Sequence, residues 1–391
     1  KNLTWYDPAS GMGNFPIAIY YKLMEGLKNI ITNEELRKKH ILEKQLYMGE
    51  LNKKNCYIIK QIFNINNKYK LNLYEGNTLE IKINEIFNIE KFDIIIGNPP
   101  YNENLTSTGA KPLYNKFIEY YINKCKILSF IVPSRWFSGG KGLDKFREMM
   151  INRTDILYIK HFDDATKIFG KLVDIKGGVN YFLIDKNYNG LCDYNGSKVN
   201  FSNYDIILDN KYYGIVNKLL DYDKITNIYL GRYFGIESND IRLINDNKKD
   251  YLKCYVSQQK GFIKYINKNE ITKPTNFYKI ITARAAFGAN SCFGNTFIGF
   301  ENEVYSGSYI SFKVTNENEA KSLLSYMKCK LPNFMLSLRK ISQDISESTC
   351  KWVPLPPLNK EWNDEEVYKY FKLLENDITL IKDTIINGYK L

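Results

Sequence analysis

The chain reads as α/β: a mixed, mainly parallel sheet over residues 1–195, followed by an α+β half. Three observations carry this. Strand-like and helical runs alternate through the first half, as a mainly parallel sheet requires. The run KFDIIIGNPPY (91–101) has the apolar core of a buried parallel strand and ends in two prolines, which cannot continue a ladder. The run TWYDPASGMGNF (4–15) has the order strand, acid, glycine-bearing turn, helix. In open α/β sheets ligands bind outside the carboxyl ends of the strands.

The elements follow in order. The first strand ends at Asp7, and Gly11 and Gly13 allow close backbone approach to a ligand. A helix is expected next, with Asn14 as its cap and Pro16 in its first turn. Phe15, Ile19, Leu23 and Leu27 recur every four residues along it. Leu46 to Leu51 reads as a second strand that ends in an acid, Glu50. Leu73 to Leu79 carries Asn77 and Thr78 after a third. At Asn98-Pro99-Pro100-Tyr101 an amide, rigid carbonyls and a ring are presented together. That set suits a planar amino group held by its hydrogens with a ring against its face.

Ile127 to Val132 is a further strand, leading into PSRWFSGG (133–140). Phe169 lies in a Gly- and Lys-rich stretch before the strand that ends at Ile184. Tyr188-Asn189-Gly190 marks a hairpin turn, and Asn195-Gly196 a second turn and a domain border. Beyond 200 the texture changes. Asn210 to Tyr222 reads as helical, and short β-like runs follow at 253–256, 278–282 and 307–314. Asn316 to Met327 is a helix capped by Asn316 or Asn318, WVPLPPL (352–358) is extended, and 365–386 closes as helix. The expected division is 1–195, 196–350 and 351–391.

Net charge is +12, from 55 Lys and Arg against 43 acids, which favours a polyanionic partner. The seven cysteines are scattered without a CxxC pair, and His40 and His161 are the only histidines. No zinc site can be built from that set. It fits reduced thiols in the cytoplasm. No apolar run is long enough to span a membrane, and no secretory signal is visible.

NPPY (98–101) is similar to the catalytic motif of amino-methyltransferases that use S-adenosylmethionine (SAM), above all the N6-adenine DNA methyltransferases. DPASGMGNF (7–15) resembles their SAM-binding motif nearly residue for residue. The resemblance covers about 1–185 and implies a Rossmann-like methyltransferase fold. It implies that Asp7 accepts hydrogen bonds from the cofactor's methionine amino group, with Pro8, Ala9, Gly11, Gly13, Asn14 and Phe15 completing the motif. Glu50 would hold the ribose hydroxyls. Asn77, where many members have Asp, would accept from the cofactor's adenine amino group beside Thr78. Asn98 and the Pro99 carbonyl would hold the target amino group next to Pro100, and Tyr101 and Phe169 would stack on a flipped adenine. No metal is implied.

The motif order matches the gamma class of restriction–modification methylases, with a C-terminal target-recognition domain. The implied partners are double-stranded DNA and a restriction endonuclease or an upstream domain of the same polypeptide. The family usually has a further segment upstream of the first motif, so the expectation is that such a segment precedes Lys1 in a longer polypeptide or lies on another chain. The open alternatives are a protein-glutamine or RNA amino-methyltransferase using the same pocket, and a specificity subunit that needs a partner. Lys260, Lys264, Arg284 and Arg339 are basic residues of the second half that could meet DNA.

Overall fold

The computed structural model describes residues 2–103, 111–140, 142–170, 175, 177–257, 261–285, 290–340 and 343–389. Lys260 lies outside them. The chain divides into two compact units, Lys1–Asn210 and Lys211–Leu391.

In the first unit nine strands form one sheet: β1 (Trp5–Asp7), β2 (Leu46–Glu50), β3 (Asn72–Glu75), β4 (Phe92–Gly97), β5 (Cys125–Pro133), β6 (Ile156–Phe162), β7 (Val179–Asp185), β8 (Cys192–Tyr194) and β9 (Ser197–Val199). Their order is β3-β2-β1-β4-β5-β7-β6-β8-β9. The strands β3 to β5 in that order are parallel. β7 is inserted antiparallel between β5 and β6. The chain runs outward from β1 to β3 and returns to β4 on the other side of β1. The carboxyl ends of β1 and β4 therefore flank the point where strand order reverses, the usual place for a ligand in such sheets.

Helix α1 (Asn14–Gly26) follows β1. Its Ile19 and Leu27 join Ile41, Leu42, Leu46, Met48, Ile59 and Phe63 in one buried cluster, with Leu23 packed against it. Each such side chain contributes about 1.5–3 kcal/mol when fully buried. The four-residue period thus marks the core face, and Pro16 sits in the first turn as expected. Asn14 does not cap. Gly13 is the cap, at φ 95°, with no side-chain cap bond, and its carbonyl accepts from the Ile17 N–H at 2.8 Å. Only a glycine turns into the helix so sharply, and Asn14 is already the helix's first residue, exposed to solvent.

Asn195-Gly196 is a hairpin turn inside the first unit, because β8 and β9 extend the same sheet beyond β6. The division between units falls fifteen residues later than that turn, and 351–391 lies within the second unit.

The second unit is α+β. One sheet has the order β10 (Tyr229–Gly231), β16 (Tyr309–Val314), β13 (Tyr278–Ala283), β14 (Thr296–Gly299). The other has the order β12 (Ile263–Asn267), β11 (Tyr251–Tyr255), β15 (Glu303–Tyr305). Helix Glu317–Lys328 is capped by Asn316, whose side chain accepts from the Glu319 N–H at 3.0 Å. The closing helical region is two helices, Asp364–Tyr370 and Glu375–Asp383. No helix among the described residues is long and apolar enough to cross a membrane.

Candidate active site

The site begins with the buried carboxylate of Asp7 at the end of β1, 1% exposed. Its Oδ1 accepts the Ala9 N–H at 3.0 Å, and its backbone carbonyl accepts the Ser10 hydroxyl at 2.9 Å. Burial raises its pKa from 3.8 to about 7, outweighing the Ala9 hydrogen bond, with a further rise from the Glu50 charge. A positive group beside this carboxylate would favour the ionised form that burial opposes.

Glu50 ends β2 and ties the glycine turn to the next strand. Its Oε2 accepts the Gly11 N–H at 2.8 Å, and its Oε1 accepts the Asn52 N–H at 2.7 Å. The Asn55 amide also donates to Oε1, at 3.4 Å, so of the carboxylate's about four acceptor positions one on Oε2 stays open. Gly11 has φ 53°, and a Cβ there would meet no atom within 4 Å, which leaves an open cradle beside the turn. Gly13 is buried against Ile59, Ile62 and Phe63 of helix α3 (Lys53–Asn64), after α2 (Glu34–Lys44). Pro8 is joined to the third strand's loop: the Thr78 hydroxyl donates to its carbonyl at 2.7 Å. Asn77 closes a local turn. Its carbonyl accepts the Leu79 N–H at 3.2 Å and its amide donates to Glu80 at 2.6 Å. Phe15 is half-buried.

Asn98 follows β4 and is exposed, Pro99 is buried, Pro100 is exposed and Tyr101 is half-buried. The turn is stapled from below, as the Leu113 N–H donates to the Tyr101 carbonyl at 2.9 Å. The Tyr101 hydroxyl is buried without a hydrogen bond of ordinary geometry among the described residues. Burial pushes its pKa far up, and the neighbouring Asn98 amide opposes this weakly. Phe169 ends the short helix Thr166–Phe169 and is half-buried. Its ring lies edge-on to Tyr101, with centroids 6.5 Å apart and planes at 62°. The two rings touch edge to face and are not parallel. A base stacked on both requires one ring to turn.

Three contributors were not singled out from the sequence. Gly97 packs so closely on Asp7 that a Cβ would lie 2.5 Å from Asp7 Oδ1. At Gly49 a Cβ would lie 2.5 Å from Thr78 Cγ2 and 2.6 Å from Tyr6 Oη. Both glycines stand at the ends of strands, a signal that could have been read. The third is Asn180 on β7, fully buried, which donates to the Ser134 hydroxyl at 3.1 Å while its side-chain carbonyl oxygen has no partner among the described residues.

Of the basic residues named in the second half, Arg339 is buried. It stacks on Trp352 at 4.4 Å and its Nε donates to the Ser348 carbonyl at 2.8 Å, so it serves packing. Arg284 is 3.5 Å from Asp344, and Lys264 is half-exposed.

Residues 22–169 match the family model described as Eco57I restriction-modification methylase. An uncharacterised adenine-specific methylase of Mycoplasma pneumoniae is 27% identical in an alignment of 263 residues, the match covering 48% of this chain and 62% of the relative. The chain thus spans less than two thirds of that relative's length. A nuclease-deletion mutant of the Type ISP restriction-modification enzyme LlaGI, in complex with a DNA substrate mimic, has a TM-score of 0.51 at 11% identity. That match covers 91% of this chain and 43% of that one. The DNA-bound Type ISP enzyme LlaBIII gives a TM-score of 0.48 at 13% identity, over 95% and 37%. The LlaGI likeness is one of fold.

Proposed function

We infer, from the match of residues 22–169 to the restriction-modification methylase model, that this chain transfers a methyl group from SAM to the exocyclic amino group of an adenine in a specific DNA sequence. The observation that supports the reading is that Asp7 ends β1 and Asn98 directly follows β4, its parallel neighbour, at the strand-order reversal. One is a buried carboxylate. The other is an exposed amide beside a rigid turn and an aromatic ring.

The residues present fit SAM. Asp7 would take the methionine ammonium, Glu50 the ribose hydroxyls, Gly11 the close approach, and Asn77 the adenine edge. When bound, SAM supplies an electrophilic methyl group on a sulfonium.

The protein's part is positioning and electrostatics. Adenine's amino nitrogen is a weak nucleophile because its lone pair is delocalised into the ring. The Asn98 side-chain carbonyl and the Pro99 backbone carbonyl accept its two hydrogens, which localises the lone pair on nitrogen. Tyr101 covers one face of the base, and Phe169 closes from the side. Extruding a base from the duplex costs a few kcal/mol. Stacking of about 1–3 kcal/mol per base offsets much of this. Double-stranded DNA is then the partner, and the second unit is assigned to reading its sequence.

The test is incubation with tritiated SAM and mixed plasmid DNA, followed by nucleoside analysis. Label in N6-methyladenine supports the reading. Label only in protein or RNA overturns it.

A further inference from the structure

Asn180 is polar where its neighbours are apolar. Phe182 and Ile184 stand on the same face of β7, and all three are fully buried. The Asn180 side-chain carbonyl has no partner among the described residues. An unpaired buried acceptor is costly, so a core built for stability alone would hold a third apolar side chain here. What the amide gains is two donor bonds, both to the end of β5. One goes to the Val132 carbonyl at 3.3 Å and the other to the Ser134 hydroxyl at 3.1 Å.

Those bonds sit at a junction. The Ser134 N–H donates to the Gly178 carbonyl at 3.0 Å. Gly178, at φ 74°, is pressed against the end of β6: a Cβ there would fall 2.0 Å from the Phe162 carbonyl oxygen and 2.9 Å from Asp163 Cα. His161 is the ladder partner of Asn180, and its Nε2 lies 3.4 Å from the Gly177 carbonyl oxygen. The ends of β5 and β6 and the start of β7 are thus tied together at one point.

From that point the chain runs to Phe169 in a short, internally braced arm. Asp164 Oδ1 accepts the Thr166 N–H at 2.9 Å and the Thr166 hydroxyl at 2.7 Å. Ala165 is buried, and its carbonyl accepts the Phe169 N–H at 3.0 Å. Little freedom is left between the Asp163 backbone and the ring whose edge lies against Tyr101.

We propose that Asn180, acting through Ser134 and Gly178, sets the place of the Phe169 ring beside the target base. This rests on the DNA-methylation reading above. Asn180 is a positioning residue: it touches neither the base nor the cofactor, and it holds the junction from which the ring is carried.

The experiment places 2-aminopurine at the target adenine and compares wild type, Asn180→Leu, Phe169→Ala and the double variant, with single-turnover methylation of the unmodified duplex alongside. Leu is close to Asn in size and removes both donor bonds. Asn180→Leu is expected to reduce the fluorescence rise and to lower the single-turnover rate about tenfold, since a misplacement of about 1 Å far from the chemistry can cost up to about 10²-fold. SAM affinity should hold, because Asp7 and Glu50 end other strands, β1 and β2. In the Phe169→Ala background, Asn180→Leu should lower neither signal further, as a residue that acts through a ring has no effect once the ring is gone. Ser134→Ala should show the same pattern, and it carries the test if Asn180→Leu does not fold. An equal loss in the Phe169→Ala background would identify general packing damage and overturn the proposal. A normal fluorescence rise in folded Asn180→Leu or in Phe169→Ala would also overturn it while methylation by wild type stood. A wild-type chain that binds SAM but does not methylate duplex DNA would overturn the functional reading, and this inference with it.

Discussion

Gly97 stands against Asp7: a Cβ on the glycine would lie 2.5 Å from the carboxylate oxygen Oδ1. The last residue of β4 thus sets where the acid at the end of β1 can sit. Both are buried, so neither has room to yield. Gly97→Ala should displace the carboxylate. We expect SAM affinity to fall at least about tenfold, against an overpacking cost of about 1–3 kcal/mol in stability. Calorimetric titration alongside thermal melting separates the two effects. Unchanged SAM affinity in a folded variant would show that Asp7 does not hold the cofactor.

The pKa of Asp7 gives a pH dependence with a definite sign. Its pKa is raised from 3.8 to about 7 by burial. Between those values the folded chain holds a proton that the unfolded chain has lost, so the free protein loses stability as pH rises through that window. The loss attributable to Asp7 is at most roughly 4 kcal/mol. A bound ammonium needs the ionised form. SAM affinity should therefore fall about tenfold for each pH unit below about 7, with proton release on binding. Asp7→Asn should melt higher than wild type at pH 8 without ligand and should bind SAM poorly. A pH-independent affinity between about pH 5 and 7 would contradict this.

Asn98→Ala should separate chemistry from cofactor binding. Asn98 is exposed beyond β4, whereas Asp7 and Glu50 are buried in the strand ends. Turnover is expected to drop by about 10²-fold or more, the usual loss when a preorganised polar group is removed. SAM affinity should hold. Equal turnover in mutant and wild type would remove Asn98 from the reaction.

Tyr101 and Phe169 should act as a pair. Their centroids are 6.5 Å apart and the rings are edge-on, so base entry must reorient at least one. Each alanine substitution should reduce the fluorescence rise of 2-aminopurine at the target position, and the double variant should lose less than the sum of the two. Phe169 is half-buried, so its loss should cost little stability. A Phe169→Ala protein that extrudes the base normally but melts far lower would identify the ring as core packing.

Much of this was legible in the sequence because local chemistry and tertiary role coincide there. The periodic Ile19, Leu23 and Leu27 face the core cluster, and DPASG and NPPY lie at the carboxyl ends of neighbouring strands. What stayed hidden depends on contacts across the sheet. Nothing near Gly97 in sequence announces Asp7, ninety residues away. Asn14 has the side chain of a cap, but Gly13 at φ 95° had already begun the helix. Asn195-Gly196 carries a strong turn signal, and whether such a turn ends a domain depends on which strand β8 pairs with, here β6. Arg339 looked like a surface base, and its stacking on Trp352 could be seen only in three dimensions.

The most direct test of methyl transfer to DNA is long-read detection of modified bases in plasmid DNA incubated with the chain and SAM, with Asn98→Ala as the control. The expected result is N6-methyladenine at one short recurring sequence, absent with the variant. Unmodified adenines throughout, with the transferred methyl recovered in protein or RNA instead, would contradict it.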